Sequence, residues 1–239
     1  MKLYYDLHLH SCLSPCGDDD MTPYNLVNLA KIFGYDIIAL TDHNTCGNCP
    51  AAIEAGLKAG ITVVPGMELC TSEEIHCICL LPSLEKAMAF SEYIKGTLPH
   101  IKNKEHIFGN QLIMDSTDGV LGKEEILLTT ASSISIDSLP ELVASFGGIC
   151  YPAHIDRSSY SIISSLGDFS PDLKVSCFEL TPDANESDYL EMYPATKGKL
   201  IIKSSDAHYL ENMREPKFSF DIKENSPEAL ISFLKGDLK

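Results

Sequence analysis

The stretch Asp6-Leu7-His8-Leu9-His10 alternates polar and apolar residues. Residues two apart on a strand point to one side, so Asp6, His8 and His10 are expected to share a face. Two imidazoles so placed can grip one divalent ion, with Asp6 as a further ligand or as the carboxylate that orients them. Asp206-Ala207-His208 repeats the spacing near the C-terminus, and Thr41-Asp42-His43, Glu68, His76 and His154 lie between. An isolated His-x-His is also what exposed strand-end histidines look like, so the distribution decides. Of eight His, six (His8, His10, His43, His76, His154, His208) fall on or at the ends of predicted strands, and only His100 and His106 do not. If those ends meet, carboxylates and imidazoles stripped of water crowd one pocket, where like charges repel unless cations bind. Imidazole mixed with carboxylate suits zinc, manganese or iron better than calcium or magnesium alone.

Something must bring these side chains together. Seven short apolar runs, Lys2–His8, Asp36–Leu40, Ile61–Pro65, Ile75–Leu81, Gly148–Tyr151, Lys174–Leu180 and Lys199–Lys203, read as strands buried on both faces. Helical patterns alternate with them at Pro23–Phe33, Ala51–Ala59, Leu84–Ile94, Ser138–Phe146 and Pro227–Leu234. Thr22 is the candidate N-cap of the first, with Pro23 in its first turn. The ligand-type residues come where strands end. Convergence of five or more strand ends is the property of a barrel mouth, whereas an open sheet converges only at its switch point. The expectation is an α/β fold, a distorted (β/α)7 barrel of TIM-barrel type forming one unit over 1–239. An irregular insertion at about 97–135 breaks the rhythm, with Asp118-Gly119 as a hairpin signal. It is expected either as a lid over the mouth or as an oligomer contact.

Composition excludes several classes. With 18 Lys+Arg against 34 Asp+Glu the formal net charge is −16, and no basic cluster stands out, so no long nucleic acid is expected as partner. The 44% apolar residues suffice for a substantial core. No apolar run approaches the roughly 20 residues of a membrane span, so no membrane partner is expected. The start, Met1-Lys2-Leu3-Tyr4-Tyr5-Asp6, lacks the apolar stretch of a signal peptide. Nine irregularly spaced Cys fit reduced thiols and a cytoplasmic location. Cys46-Gly47-Asn48-Cys49, with Cys12 and Cys16 in the neighbouring loop, would form a redox pair or an extra metal site if the four thiols met at the rim.

Asp6-Leu7-His8-Leu9-His10-Ser11, Thr41-Asp42-His43, Glu68, His76, Pro152-Ala153-His154 and Ser205-Asp206-Ala207-His208, in that order, resemble the PHP (polymerase and histidinol phosphatase) superfamily. The resemblance runs from residue 6 to residue 208 and implies a distorted seven-stranded barrel with a two- or three-metal centre that hydrolyses phosphate esters. Carried over by position, it implies that His8, His10, Glu68 and Asp206 hold a first ion. Glu68 would bridge to a second held by His76 and His154, and His43 and His208 would hold a third with a residue of the loop after the first strand. There the chain departs from the family pattern of a His or Asp. The loop reads Ser14-Pro15-Cys16-Gly17-Asp18-Asp19-Asp20, and Asp18 is preferred over Asp19 and Asp20.

The expected function is metal-dependent hydrolysis of a small phosphorylated metabolite or nucleotide, by attack of metal-activated hydroxide on phosphorus. Three divalent ions bring about +6 against about −3 from the carboxylates, so an anionic ester can dock in an acidic protein. The catalytic set expected is Asp6, His154, Asp156 and Asp206, with Asp156 a candidate proton donor to the leaving alkoxide. Arg157 and Lys203 are candidate substrate cations, although Arg157 could equally form a structural ion pair with an acid such as Asp156. The acids Asp183, Glu186 and Asp188 read as a solvated turn and helix start. With no polymerase region in the sequence, a proofreading role fused to DNA synthesis is not expected. Two rivals are a barrel metallohydrolase acting on C–N bonds and a non-enzymatic metal or nucleotide sensor.

Overall fold

A computed structural model describes residues 1–237; the last two residues of the expected 1–239 unit lie outside the described residues. In chain order the elements are β1 (Lys2–Leu9), α1 (Pro23–Phe33), β2 (Ile37–Leu40), α2 (Cys49–Ala59), β3 (Thr62–Cys70), β4 (His76–Leu80), α3 (Leu84–Lys95), α4 (Glu105–Phe108), β5 (Leu112–Met114) and β6 (Val120–Lys123). The second half carries α5 (Leu139–Ser145), β7 (Ile149–Pro152), α6 (Ile162–Leu166), β8 (Cys177–Leu180), α7 (Glu186–Met192), β9 (Leu200–Lys203), β10 (Ser219–Asp221) and α8 (Pro227–Lys235). Each of the seven apolar runs is a strand. The helix signals also hold: Thr22 accepts from the Asn25 N–H to cap α1, Gly34 closes it at φ 90°, and Ser226 caps α8 by accepting from Ala229.

Six strands form one curled sheet in the order β10-β1-β2-β3-β4-β7, and β8 pairs with β9 separately. The two sheets meet near the strand ends that carry the histidines. Ile155 N–H donates to Glu179 O at one seam (2.9 Å) and His10 N–H to Ala207 O at the other (3.1 Å). No ladder of the described residues runs through either seam, so the barrel expected from the sequence is seen as a curled half-barrel with a two-stranded pair.

Two further departures have plain causes. The β1–β2–β3 and β8–β9 pairings are parallel, but β4 runs antiparallel to both β3 and β7. Thr71–Ile75 between β3 and β4 is too short for a crossover helix and can only turn back as a hairpin. The register slips between Asp6 and Leu9 in β1. Leu7 therefore packs in one apolar cluster and Leu9 in the other, although they are two residues apart. The bulge breaks the face that Asp6, His8 and His10 were expected to share.

Alternation explains the two clusters. Ile37 and Ala39 of β2 join Leu7, Val64, Ile78, Tyr151, Cys177 and Ile202, one set from all seven strands, closed by Leu230, Ile231 and Leu234 of α8. Ile38 and Leu40 face the other way, toward Leu26, Val27 and Ala30 of α1 and Ala52 and Ala55 of α2. Buried apolar area on both faces leaves the strand ends as the place where polar side chains can gather. No helix among the described residues is long and apolar enough to cross a membrane.

The irregular insertion at about 97–135 contains α4 and the β5–β6 hairpin, whose turn is tied by Asp115 accepting from Thr117 and Gly119. It is bound to the loops after β1 and β2. Leu112 N–H donates to Cys12 O (2.9 Å), Asn48 exchanges hydrogen bonds with Leu112 and Met114, and Asn44 donates to Leu128 O and Thr130 O. Among the described residues, none of its side chains hydrogen-bonds to the histidines described below.

Candidate active site

Glu68 of β3 is the centre. Its backbone N–H donates to Thr41 O and Asp42 O, which seats it beside His43. Five imidazoles approach its two oxygens: His76 Nδ1 at 2.9 Å, His43 Nδ1 at 3.0, His154 Nε2 at 3.1, His8 Nε2 at 3.3 and His10 Nε2 at 3.4. Asp206 adds a second carboxylate, 3.1 Å from His8 Nε2 and 3.2 Å from His10 Nε2. His208 donates through Nδ1 to the carbonyl of Asp206, two residues back, and its ring stacks on His10. Burial is nearly complete, with Glu68 and the rings of His8 and His10 at 1% exposure or less. His154 (φ 29°) and Asp206 (φ 52°) take left-handed backbone conformations that non-glycine residues rarely adopt. Such strain persists where surrounding contacts over-determine it, and it concentrates at functional sites.

Orientation comes from residues that sequence reasoning missed. His8 Nδ1 donates to Glu179 Oε1 at 2.9 Å, and the same oxygen accepts from His154 N–H at 3.2 Å. Glu179 is 1% exposed inside the apolar strand Cys177-Phe178-Glu179-Leu180. A carboxylate in such a run was the one signal that could have found it. On the other side, Asp42 accepts from the Ser14 hydroxyl (2.7 Å), whose oxygen therefore accepts from His10 Nδ1 (2.9 Å). Both rings thus spend their Nδ1 protons on fixed partners and present Nε2 to the cluster.

This arrangement fits metal ions. With their Nδ1 protons committed, the Nε2 atoms of His8 and His10 face each other 3.1 Å apart as lone pairs unless a cation intervenes. Ligands at about 2.0–2.2 Å around a tetrahedral ion stand roughly 3.3–3.6 Å apart, close to the spacings measured among His8, His10, Glu68 and Asp206. Three groups of possible ligand atoms lie mutually within 4.8 Å: His8–His10–Glu68, His43–Glu68–His76 and His10–His43–His208. Titration agrees. Burial opposes charge on His8, yet Asp206, Glu179 and Glu68 outweigh it and hold the ring well above its usual value. Burial likewise opposes charge on His10 and His43, but the carboxylates, Glu68 foremost for His43, raise both to about 9. Burial raises the carboxyl of Glu68, but His76, His8 and His43 prevail and hold it well below its usual range. Burial, then the neighbouring charge of His10, pushes His208 down to about 3. The carboxylates stabilise positive charge at this spot, carried by protons or by ions alike.

His8, His10, His43, Glu68, His76, His154, Asp206 and His208 are brought together; other expected residues are not. Asp6 lies behind the cluster. Its carboxylate accepts from Ser205 and His8 backbone N–H, and burial pushes its pKa up to about 6. The Asp18 side chain folds onto the N–H of Asp20 in an exposed turn, and Asp19 accepts from Asn110. Besides Ser14, the loop residue that reaches the histidines is Cys16, its Sγ 3.1 Å from His43 Nε2. Asp156 is engaged by the N–H and hydroxyl of Thr181. Lys203 donates to Ala184 O and pairs with Glu186 at 3.3 Å, where Glu186 opens α7. Arg157 pairs with Asp206 at 2.6 Å rather than with Asp156 and stays 44% exposed. Cys46 and Cys49 are buried with their thiols on Gly66 O, so they make no rim cluster with Cys12 and Cys16.

Similar proteins carry related sequences and folds. A 5'-3' exoribonuclease of Haemophilus influenzae is 37% identical over 83 residues, 34% of this chain and 29% of its own length. The lesion-specific endonuclease PfuEndoQ of Pyrococcus furiosus shares the fold over 99% of this chain and 56% of its own, with a TM-score of 0.70 and 20% identity. Endonuclease Q is also known in complex with a 27-mer duplex substrate with an abasic lesion at the active site, at the same TM-score and 19% identity. The chain thus spans less than two thirds of these relatives. The exoribonuclease and endonuclease Q both act on nucleic acid, which overturns the expectation that no long nucleic acid takes part. Net charge alone does not exclude such a partner, because cations held at one site would reverse the local sign whatever the total. The model of the PHP domain matches residues 6–232, a stretch that takes in the entire cluster, and on that match the chain belongs to the PHP domain family.

Proposed function

We propose that this chain is a metal-dependent phosphoesterase acting on nucleotide or nucleic-acid phosphate esters. The observation that carries the reading is the convergence of five imidazoles on the buried carboxylate of Glu68, with His8 and His10 presenting opposed nitrogens. His8, His10, Glu68 and Asp206 would hold one ion, Glu68, His76 and His154 a second, and His43 and His208 a third. When bound, such ions polarise the phosphoryl oxygens and lower the pKa of water toward neutrality. The chain's residues do the remaining work. Glu68 is shared between sites, Glu179 and the Asp42–Ser14 pair fix ring orientation, and Arg157 neutralises Asp206 while its exposed guanidinium meets a phosphate. Beside Asp206 opens a cleft of about 380 Å³ whose lining includes Arg157, Lys203, Arg214 and Lys217 together with the acids Asp6, Asp183, Asp206 and Glu215. It gives the rest of an anionic substrate a place next to the reacting phosphate, in a protein otherwise strongly acidic. The closed (β/α)7 arrangement and a lid role for the insertion belong to the same proposal.

The C–N hydrolase reading is less favoured, since Lys203 at the end of β9 is held by Ala184 and Glu186 rather than turned into the cluster. The test compares p-nitrophenyl phosphate, its bis ester and end-labelled single-stranded RNA and DNA, each with manganese or zinc. Cleavage of at least one ester, abolished by His154→Ala with the fold retained by circular dichroism, is expected. Failure to cleave any of them with either metal, or full activity in His154→Ala, would sink the proposal.

A further inference from the structure

The rim of the cluster holds a donor that neither the family resemblance nor the charge count anticipates. His10, His43 and His208 bring ring nitrogens within 4.8 Å of one another. Glu68 meets His43 through Nδ1, so the opposite nitrogen, Nε2, is left facing Cys16 Sγ at 3.1 Å. That sulfur is its only hydrogen-bond partner among the described residues, although His43 is only 4% exposed. The loop that delivers Cys16 is pinned on both sides. Asp18 N–H donates to His208 O (2.9 Å), and Gly17 N–H donates to Ser14 O (2.8 Å), in a turn so tight that a Cβ on Gly17 would lie 2.8 Å from Ser11 O. The sulfur is thereby tied to the His10 side through Ser14 and to the His208 side through Asp18. The three acidic residues of the same loop point elsewhere or lie at the surface.

We propose that Cys16 is the loop ligand of the rim ion, joining His43 and His208 in a donor set in which a thiolate stands where an imidazole or carboxylate was expected. The inference rests on the metal-centre reading above. On binding, the thiol loses its proton to solvent and the sulfur lone pair joins the ion; no oxidation is involved. A thiolate favours a soft or borderline ion, so the rim site selects zinc over manganese, whereas the deeper imidazole–carboxylate sites accept either.

Cobalt(II) in place of the native ions is the probe, because a thiolate ligand adds an intense near-ultraviolet charge-transfer band that imidazole and carboxylate do not. The wild-type chain is expected to show that band. Cys16→Ser should lose it together with about one ion per chain, while keeping the visible cobalt bands of the deeper sites. Cys16→His should restore the ion without the band, and Cys16→Asp should shift rim occupancy from zinc toward manganese in an equal mixture. Visible bands without the charge-transfer band in the wild type, or a band that survives Cys16→Ser, overturn the inference and leave the metal centre standing. A wild-type chain that takes up no cobalt overturns both.

Discussion

Around Glu68 the rings of His8, His76 and His154 are at most 12% exposed, and each lies on a strand or two residues past its end. His8 is further locked by the buried carboxylate of Glu179. At the rim, His208 is 20% exposed, and Cys16, which faces His43, is exposed on a turn between β1 and α1. The deep half is thus preorganised by sheet geometry and by buried hydrogen bonds, while the rim depends on a loop that water and substrate can reach. This contrast teaches a division of labour. A site cast in the backbone of several strands holds its ligands in place before any ion arrives, whereas a loop ligand can differ from one chain to the next without disturbing the sheet.

The largest effect should come from the deep half. Glu68→Gln removes the charge that five imidazoles share, so hydrolysis of p-nitrophenyl phosphate or its bis ester should fall below detection, with bound metal lost at both deep sites. Retention of metal in that variant would break the contrast at its root. Glu179→Gln keeps the shape but weakens the hold on His8, and a loss of roughly 10–100-fold in activity or metal affinity is expected. Titration with zinc reads it directly, and an unchanged affinity would mean that β1 alone orients the ring. Asp42→Asn puts a donor against the Ser11 and Ser14 hydroxyls that now donate to Asp42. It should lower metal affinity about 10-fold through His10. The smallest effect belongs to Asp18→Asn, which touches only the exposed turn. Metal content should be unchanged and stability should move by no more than about 0.5 kcal/mol in denaturant unfolding. Loss of one ion there would hand the rim to Asp18 instead of Cys16.

Much of the architecture is legible in one dimension because it rests on local chemistry. Apolar runs such as Ile37–Leu40 and Ile149–Pro152 have few alternatives to a strand. Thr22-Pro23 and Ser226-Pro227 announce helices that cap as their chemistry requires. The ligand set is legible for a similar reason, since histidines and acids that end strands have few bland explanations when so many recur. What stayed hidden depends on partners distant in the chain. The short β10 pairs with Lys2–Tyr4 more than two hundred residues away. The bulge in β1 decides that Asp6 turns to Ser205 and leaves the cluster to His8 and His10.

Residue types and order by themselves determined that imidazoles and carboxylates would meet at the ends of parallel-leaning strands, because alternation and burial leave no other place for them. Only the tertiary structure decided which oxygens and nitrogens face inward. Glu179, Ser14 and Asp42 claim particular ring nitrogens, the Thr71–Ile75 hairpin reverses β4, and the pinned loop presents a sulfur in place of an aspartate. Each of these is a contact between groups far apart in the chain, whose direction is fixed by packing and hydrogen bonding and leaves no mark in local composition.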